Sequence, residues 1–243
     1  MKAETKTVKV GSIVYATGWK PYDMGKLALL GEGKIKNVIS NVMMERLASP
    51  GGPTAGKILR PSDGKEVKNV GFVQCAGSRD ENHLSQCSTI CCMASIKQAF
   101  YVRDQYPDDS KAEIFYIDLR TPGRYEKFLN RAEADENIIL TKGKVAAVTE
   151  DPATGDVTVT LEDIMGGGKR QATVDMLVLA TGMAPELAGG SAAVLSEEGF
   201  AVADLQKPGI FSAGVAKAPV DVMTSIQDAT GTALKAIQAI VRS

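Results

Sequence analysis

The sequence has few of the features that mark metal-binding histidine clusters, nucleic-acid binding or membrane insertion. It contains a single histidine, His83, which excludes histidine-rich metal chemistry. A formal net charge of −1 gives no electrostatic support for binding to nucleic acid. No apolar run approaches the roughly 20 residues that span a bilayer, and the first residues contain no apolar signal core. We therefore expect no nucleic-acid partner and no direct membrane insertion.

Cysteine is also scarce, and all four cysteines lie between residues 75 and 92. Small secreted proteins use disulfides to stabilise a weak core, and their cysteines are spread along the chain. Here 44% of the residues are hydrophobic, which is enough for a sizeable core, and the cysteines are clustered. This combination favours a metal or redox site in a reducing compartment. We expect a cytoplasmic protein, for which any association with the inner membrane would have to come through partner subunits.

A Gly-x-Gly-x-x-Gly sequence is missing from the whole chain. Such a turn, placed between a strand and a helix, binds the pyrophosphate of a dinucleotide through backbone N–H groups. Its absence means that the chain has no pyrophosphate-binding turn of its own for FAD, and it weakens any claim of NAD(P)H binding.

The hydrophobic pattern alternates between short apolar strands and longer helical periods. Buried strands are predicted at 8–18, 70–75, 114–119, 175–180 and 209–214, and helices at 41–48, 90–106, 122–134 and 222–241. Two antiparallel strands, 137–149 and 156–162, surround a turn at 151–155. This strand–helix–strand order predicts an α/β fold with a parallel sheet.

One strand pattern occurs twice. Residues 13–21, which contain Thr17-Gly18, are echoed by residues 177–185, which contain Thr181-Gly182. Each copy is an apolar strand that ends in Ala-Thr-Gly, with a proline three residues later. Small residues at a strand end allow a ligand to approach the backbone closely. Two ordinary buried strands with glycine turns remain the alternative interpretation.

The cysteines follow the pattern Cys75-x₁₁-Cys87-x₃-Cys91-Cys92. Cys75 ends a predicted strand and the other three lie near the start of a predicted helix, where the helix dipole and free N–H groups stabilise negative charge. Four thiolates without histidine suit an iron–sulfur cluster or a zinc ion. Structural thiols without metal, or a redox dithiol, are the other interpretations. Adjacent Cys91 and Cys92 favour the larger cluster over a small tetrahedral site.

The repeated Ala-Thr-Gly strand resembles the two-dinucleotide-binding-domain flavoproteins of the thioredoxin reductase and glutathione reductase group. The run 208–215 resembles their closing FAD motif, although Val215 follows Gly214 where those enzymes usually have aspartate. The resemblance implies a Rossmann-like inserted NAD(P)-type domain plus the C-terminal part of an incomplete FAD domain. It also implies that the chain has three parts. Residues 1–30 form a partial FAD-binding domain, residues 31–175 form the inserted Rossmann-like domain that carries the cysteines, and residues 176–243 form the C-terminal part of the FAD-binding domain. The missing first unit of that domain leads us to expect that the chain is a fragment.

The heterodisulfide reductase A-subunit family is resembled by three segments, 56–64, 72–80 and 87–99. Within this family, the A subunit of the quinone-interacting membrane-bound oxidoreductase complex is most similar, as judged from the segments 41–47 and 77–84. The family implies FAD and a [4Fe–4S] cluster held by Cys75, Cys87, Cys91 and Cys92. It implies that Lys97 approaches the flavin. The repeated strands and the closing motif then assign the other FAD-contacting positions to Thr17, Gly18, Thr181, Gly182, Gly214 and Val215.

These resemblances predict an oxidoreductase subunit that relays electrons between FAD and the cluster, without a conventional acid–base or nucleophilic catalytic residue. The expected partners are other redox subunits of a multi-subunit complex, with a homodimer as a further option. Two other functions stay open: a zinc-stabilised, non-enzymatic interaction module, and a pyridine-nucleotide-disulfide reductase that uses a cysteine dithiol. In an isolated fragment, either cofactor can be absent.

Overall fold

A computed structural model describes residues 3–31, 33–187, 192–203 and 206–242. The chain forms two compact units. The first combines Met1–Lys20 with Met183–Ser243, and the second is Pro21–Gly182. The assignment of FAD-binding and inserted domains to the ranges 1–30, 31–175 and 176–243 stays a prediction.

The second unit is built on a seven-stranded mixed sheet with the strand order β3-β9-β4-β5-β6-β7-β8. The strands from β3 to β6 pair in parallel, and β7 and β8 extend the sheet in antiparallel fashion. The bounds are β3, Val38–Ser40; β4, Asn69–Ala76; β5, Lys111–Tyr116; β6, Ile138–Glu150; β7, Val157–Asp163; β8, Gly168–Val174; and β9, Met176–Thr181.

Three helices connect the parallel strands: α1, Asn41–Ala48; α2, Cys91–Gln105; and α3, Glu126–Glu133. The α1 helix begins where the Ser40 hydroxyl, as the N-cap, accepts a hydrogen bond from the Met43 N–H. The α2 helix links β4 to β5, and α3 links β5 to β6. Parallel neighbours need such crossovers, because their carboxyl ends lie at the same edge of the sheet. Loops that follow β4 and β5 therefore meet there.

Apolar side chains cover both faces of this sheet. One face packs against the helices through a cluster that includes Phe72, Ile96, Phe100, Ile114 and Val178. The opposite face packs under residues 22–35 and the β6–β7 hairpin, through Leu27, Val73, Phe115, Leu161 and Leu179. Because strands buried on both faces read as continuous apolar runs, β4, β5 and β9 were recognisable in the sequence.

In the first unit, β1 (Ile13–Tyr15) pairs in parallel with β11 (Ile210–Ser212). A second short pair joins β2 (Trp19–Pro21) to β10 (Met183–Pro185). The long helix α4, Val222–Arg242, packs on β1 and β11, and its Thr232 hydroxyl donates to the Ser212 carbonyl.

The structure confirms the α/β class and the parallel sheet, and it corrects two local predictions. The buried strand predicted at 8–18 is only Ile13–Tyr15, and its Ile13 and Val14 side chains are exposed. The strand predicted at 114–119 begins earlier, at Lys111, and ends at Tyr116. Strand β8 was not predicted, because its sequence is mostly polar.

No helix in the described ranges combines the length and the hydropathy that a transmembrane span requires.

We predict that Phe72→Ala lowers the free energy of unfolding by about 3–5 kcal/mol. The Phe72 side chain is fully buried where β4 packs against the helices, and its truncation leaves a cavity. Urea unfolding followed by circular dichroism measures this change. Ile139→Ala is the control, since Ile139 is 38% exposed on β6 and its truncation should cost less than about 1 kcal/mol. Equal effects of the two substitutions would contradict the proposed core.

Candidate metal centre

The site begins where β4 leaves the sheet at Cys75. Cys75 has a left-handed backbone conformation with φ of 55°, and the pairing of β4 with β9 becomes irregular between Val73 and Ala76. Among the described residues, four non-glycine residues are left-handed, and three of them are Cys75, Arg79 and Thr89. Such conformations cost about 1–3 kcal/mol each and persist only where the surroundings enforce them. Backbone strain is therefore concentrated in the segment that carries the cysteines.

The remaining cysteines lie at the beginning of α2. Cys91 and Cys92 are the first two residues of the helix, and Cys87 lies in the preceding loop. All four cysteines line one small cavity, together with Ser78, Arg79, Ser88, Thr89, Asp118 and Arg120. The structure thus brings together the four sulfurs that the sequence pattern singled out, and all four are free thiols.

Each sulfur has a defined partner. Cys91 Sγ donates to the Thr181 carbonyl at 3.9 Å, and Cys92 Sγ donates to the Asp118 carbonyl at 3.7 Å. Cys87 Sγ accepts from the Thr89 N–H at 3.4 Å. Cys75 Sγ accepts from the guanidinium of Arg79 at 3.9 Å. The adjacent cysteines of α2 therefore contact the ends of two different strands, β9 and β5.

Burial and charge act in opposite directions on these thiols. Burial raises the pKa of Cys75 and Cys92, and it raises the pKa of Cys91 to about 12. The Arg79 guanidinium opposes this effect at Cys75 and is itself held by Asp118, with 2.8 Å between Nη2 and Oδ2. The cavity thus favours neutral thiols until a positive charge, such as a metal, enters it.

The kind and number of donors bear on the kind of site. Within the described ranges, no three His, Cys, Asp or Glu side chains are arranged to hold one metal ion. A [4Fe–4S] cluster takes one thiolate at each of four irons. The four thiols that line this cavity are a donor set of that chemistry.

The second Ala-Thr-Gly copy packs directly against this site. The Thr181 hydroxyl donates to Asn41 Oδ1 at 3.1 Å and is buried. A Cβ atom on Gly182 would lie 2.2 Å from Ser78 Oγ, 2.6 Å from Leu84 Cδ1 and 2.9 Å from Ser88 Oγ. Gly182 is thus required for the cysteine loop to approach β9, a role that the sequence did not indicate.

The first copy and the closing motif belong to the other unit. Gly18, which follows Thr17, is left-handed with φ of 73°, and an added Cβ would meet no described atom within 4 Å. The Gly214 N–H donates to Asp228 Oδ2 at 2.8 Å, and Lys217 pairs with the same carboxylate at 2.6 Å. Val215 lies in the 3₁₀ turn Gly214–Ala216. Asp228, which the sequence reasoning missed, therefore fixes the closing turn from α4.

Lys97 lies in α2, and its Nζ is 2.8 Å from Glu45 Oε1. Glu45 also accepts from Gln98 at 2.8 Å and from the Tyr101 hydroxyl at 3.2 Å. This carboxylate was not identified from the sequence, because α1 and α2 are far apart in the chain. The approach of Lys97 to a flavin stays a prediction.

Sequence comparison identifies the relatives of this chain. It is 34% identical to an iron-sulfur A subunit of CoB–CoM heterodisulfide reductase from Methanopyrus kandleri, over 96% of its length and 38% of that protein. It is also 34% identical to the A subunit of the H(2):CoB-CoM heterodisulfide,ferredoxin reductase of Methanothermobacter marburgensis, over 97% of this chain and 38% of the relative. Over nearly its whole length, this chain is similar to heterodisulfide reductase A subunits. No protein-family model matches it.

The chain spans a little over a third of the length of these heterodisulfide reductase subunits, 38% in both cases. Among solved structures it is similar to the thioredoxin reductases of Lactococcus lactis, with a TM-score of 0.60 and 15% identity, and T. acidophilum, with a TM-score of 0.58 and 17% identity. The alignments cover 96% and 94% of this chain, and 67% and 64% of those enzymes. They confirm the predicted fold of the thioredoxin reductase group. The narrower resemblance to the quinone-interacting complex stays a prediction.

We predict that Gly182→Ala displaces the loop that carries Ser78 and Ser88, because the new methyl group would overlap both hydroxyls. The free energy of unfolding should fall by about 1–3 kcal/mol, as expected for overpacking. Chemical denaturation measures the change. Gly231→Ala is the matched control, since its Cβ meets no described atom within 4 Å on α4 and alanine favours a helix. An unaltered stability of Gly182→Ala would contradict the close contact.

We predict that thiol alkylation of the metal-free, reduced chain is slowest at Cys91. The thiolate is the nucleophile, and burial raises the pKa of Cys91 to about 12, so its labelling by iodoacetamide should accelerate as the pH rises from about 7 to 10. Peptide mass spectrometry gives the rate at each cysteine, and the urea-unfolded chain is the reference in which the four rates converge. Native Cys91 reacting at the unfolded rate near pH 8 would contradict the burial described here.

Proposed function

We propose that this chain is a redox segment of a heterodisulfide-reductase-like complex, in which Cys75, Cys87, Cys91 and Cys92 hold a [4Fe–4S] cluster. The observation that carries the proposal is that the end of β4 and the beginning of α2 present four free thiols to one cavity. When bound, such a cluster supplies reversible one-electron transfer. The chain is then an oxidoreductase subunit that exchanges electrons with other cofactors.

The surroundings of the thiols prepare them for this role. Ligation requires deprotonated sulfur, so loading releases the protons that burial otherwise retains. Arg79 and Arg120 line the cavity and stabilise the negative charge of the thiolates. The N-terminus of the 15-residue helix α2 adds its positive dipole end at Cys91 and Cys92. Positive charge beside a cluster favours its reduced form and raises its potential.

The proposal includes FAD as the second redox group. In the first unit the left-handed turn at Gly18 has open space where a Cβ would lie, as the close approach of a flavin requires. The closing turn at Gly214 and Val215 is included on the family resemblance, since the Gly214 N–H already donates to Asp228. Thr17, Lys97, Thr181 and Gly182 complete the proposed set. Gly182 and Lys97 have internal partners as well, so their contribution to flavin binding rests on the family resemblance.

The relatives supply the proposed context. Both are named as subunits of heterodisulfide reductases, and one of them is also named a ferredoxin reductase. We propose that this chain likewise works beside other redox subunits, and that a quinone-interacting complex is one setting for it. Zinc bound by the same four thiols is the alternative, and metal and sulfide analysis distinguishes the two.

We predict that the anaerobically reconstituted 243-residue chain binds about four iron and four sulfide per molecule, with broad absorbance near about 400 nm. Replacing any one of the four cysteines by serine should lower the iron content by at least half, because each thiolate holds one iron. Iron analysis, acid-labile sulfide and electron paramagnetic resonance after dithionite reduction measure the result.

Ser95→Ala is the matched control on α2, because the buried Ser95 hydroxyl has no hydrogen-bond partner among the described atoms. It should load iron as the unaltered chain does. One zinc per chain with no sulfide would support the interaction module instead, and rapid reduction of bound flavin by NADH would support a dithiol reductase.

A further inference from the structure

A groove of about 690 Å³ lies beside the cysteine cavity, within the Pro21–Gly182 unit, and the redox proposal does not use it. Its volume is within the usual range for binding sites. The loop that carries Cys87 and Thr89 forms one side, and α3 with the segment 119–122 forms the other. Cys87, Thr89 and Arg120 line both the groove and the cysteine cavity. A molecule in the groove therefore lies against one of the four thiols.

One face of α3 forms the outer wall of the groove. Glu126, Leu129, Asn130 and Glu133 line it, at the i, i+3, i+4 and i+7 spacing that places side chains on one face of a helix. The three polar residues of this face are exposed, and Leu129 is half-buried. At about 1.5 Å per residue, the two glutamates are about 10 Å apart along the helix axis.

The charged residues make the groove acidic. Neither Glu126 nor Glu133 forms an ion pair with another residue that the structure describes. Arg120 is the cation of the lining, and it is shared with the cysteine cavity, where its charge favours the Cys92 thiolate. Two carboxylates without partners therefore favour a cationic occupant.

The shape of the groove favours a protein segment over a small molecule. Small-molecule sites enclose most of their ligand, whereas the outer wall of this groove is exposed along α3. An amphipathic helix binds in an open groove through side chains at i, i+3, i+4 and i+7. Leu119, Pro122 and Leu129 supply apolar surface for such a helix, and the two glutamates match basic side chains one heptad apart. Contacts between electron-transfer proteins are characteristically small.

We propose that this groove is the docking site for a basic amphipathic helix of a redox partner protein. Lysine or arginine side chains one heptad apart pair with Glu126 and Glu133, and apolar side chains between them contact Leu129. The inference rests on the redox function proposed above, because docking here places the partner against Cys87. One electron then passes between the cluster and the redox cofactor of the partner, so that one is oxidised as the other is reduced.

The probe is a synthetic helical peptide with two lysines one heptad apart and leucines between them. A peptide with glutamates in place of the lysines is the comparison. Fluorescence anisotropy with the full 243-residue chain, metal-free and reduced, should give a Kd below about 100 µM for the lysine peptide. The glutamate peptide should bind at least tenfold more weakly. Salt at about 0.5 M should weaken the lysine peptide, because it screens exposed charges.

The double variant Glu126→Gln/Glu133→Gln removes both carboxylates at similar size and should weaken the lysine peptide at least tenfold. Both side chains are exposed, so the variant should fold, which circular dichroism checks. Glu150→Gln/Glu162→Gln is the matched control, because it changes the net charge equally at exposed positions of β6 and β7 outside the groove. It should bind the lysine peptide as the unaltered chain does.

The link to electron transfer is measured on the iron-loaded chain. Saturating lysine peptide should slow the one-electron oxidation of the reduced cluster by hexaamminecobalt(III) at least threefold, because the peptide covers Cys87. Bound peptide without an effect on this rate would overturn the assignment of the groove to a redox partner.

The docking site itself is overturned by any of three results: no saturable binding of the lysine peptide, unaltered binding by Glu126→Gln/Glu133→Gln, or equal binding of the glutamate peptide. Self-association that this double variant abolishes, measured by sedimentation, would assign the groove to a second copy of the chain instead. The peptide titration uses metal-free chain, so a failure to load iron and sulfide rejects the redox proposal separately.

Discussion

The left-handed backbone at Cys75 is the constraint on which the site depends. It ends the regular pairing of β4 with β9 and turns the chain out of the sheet. Cys75 then lines the cavity that holds the other cysteines. A strand that continued straight would keep its alternation of faces and would direct this side chain differently. The strain at this residue is tolerated because strongly buried neighbours, including Phe72 and Val73, fix the rest of the strand.

Charge at the cysteine cavity is balanced between burial and two arginines. Burial favours the protonated thiols, while Arg79 and Arg120 favour the thiolates, and Asp118 fixes the position of Arg79. The thiols of such a site are neutral without metal, and the nearby guanidinium groups stabilise the thiolates once the thiols ionise. This arrangement suits a cofactor with net negative charge. The same cations line a cavity that also contains one carboxylate, so the local charge stays slightly positive.

The sequence predicted the elements that carry strong one-dimensional patterns. The apolar runs of β4 and β9 and the clustered cysteines are local features, and each is found where it was expected. What could not be predicted depends on distant segments. Glu45 meets Lys97 only because α1 packs on α2, and Gly182 is needed only because the cysteine loop crosses its Cα. The exposed side chains of β1 were predicted to be buried, since an apolar run does not reveal whether another element covers the faces of a strand.

The hydrogen bond from Cys91 to the Thr181 carbonyl joins residues 90 positions apart in the chain. The pocket for the cysteines is therefore complete only after β9 has inserted between β3 and β4. During translation, the cysteines leave the ribosome long before the strand that closes their pocket is synthesised. Delivery of the proposed cluster would therefore follow the synthesis of β9, and the nascent thiols would need protection from oxidation until then.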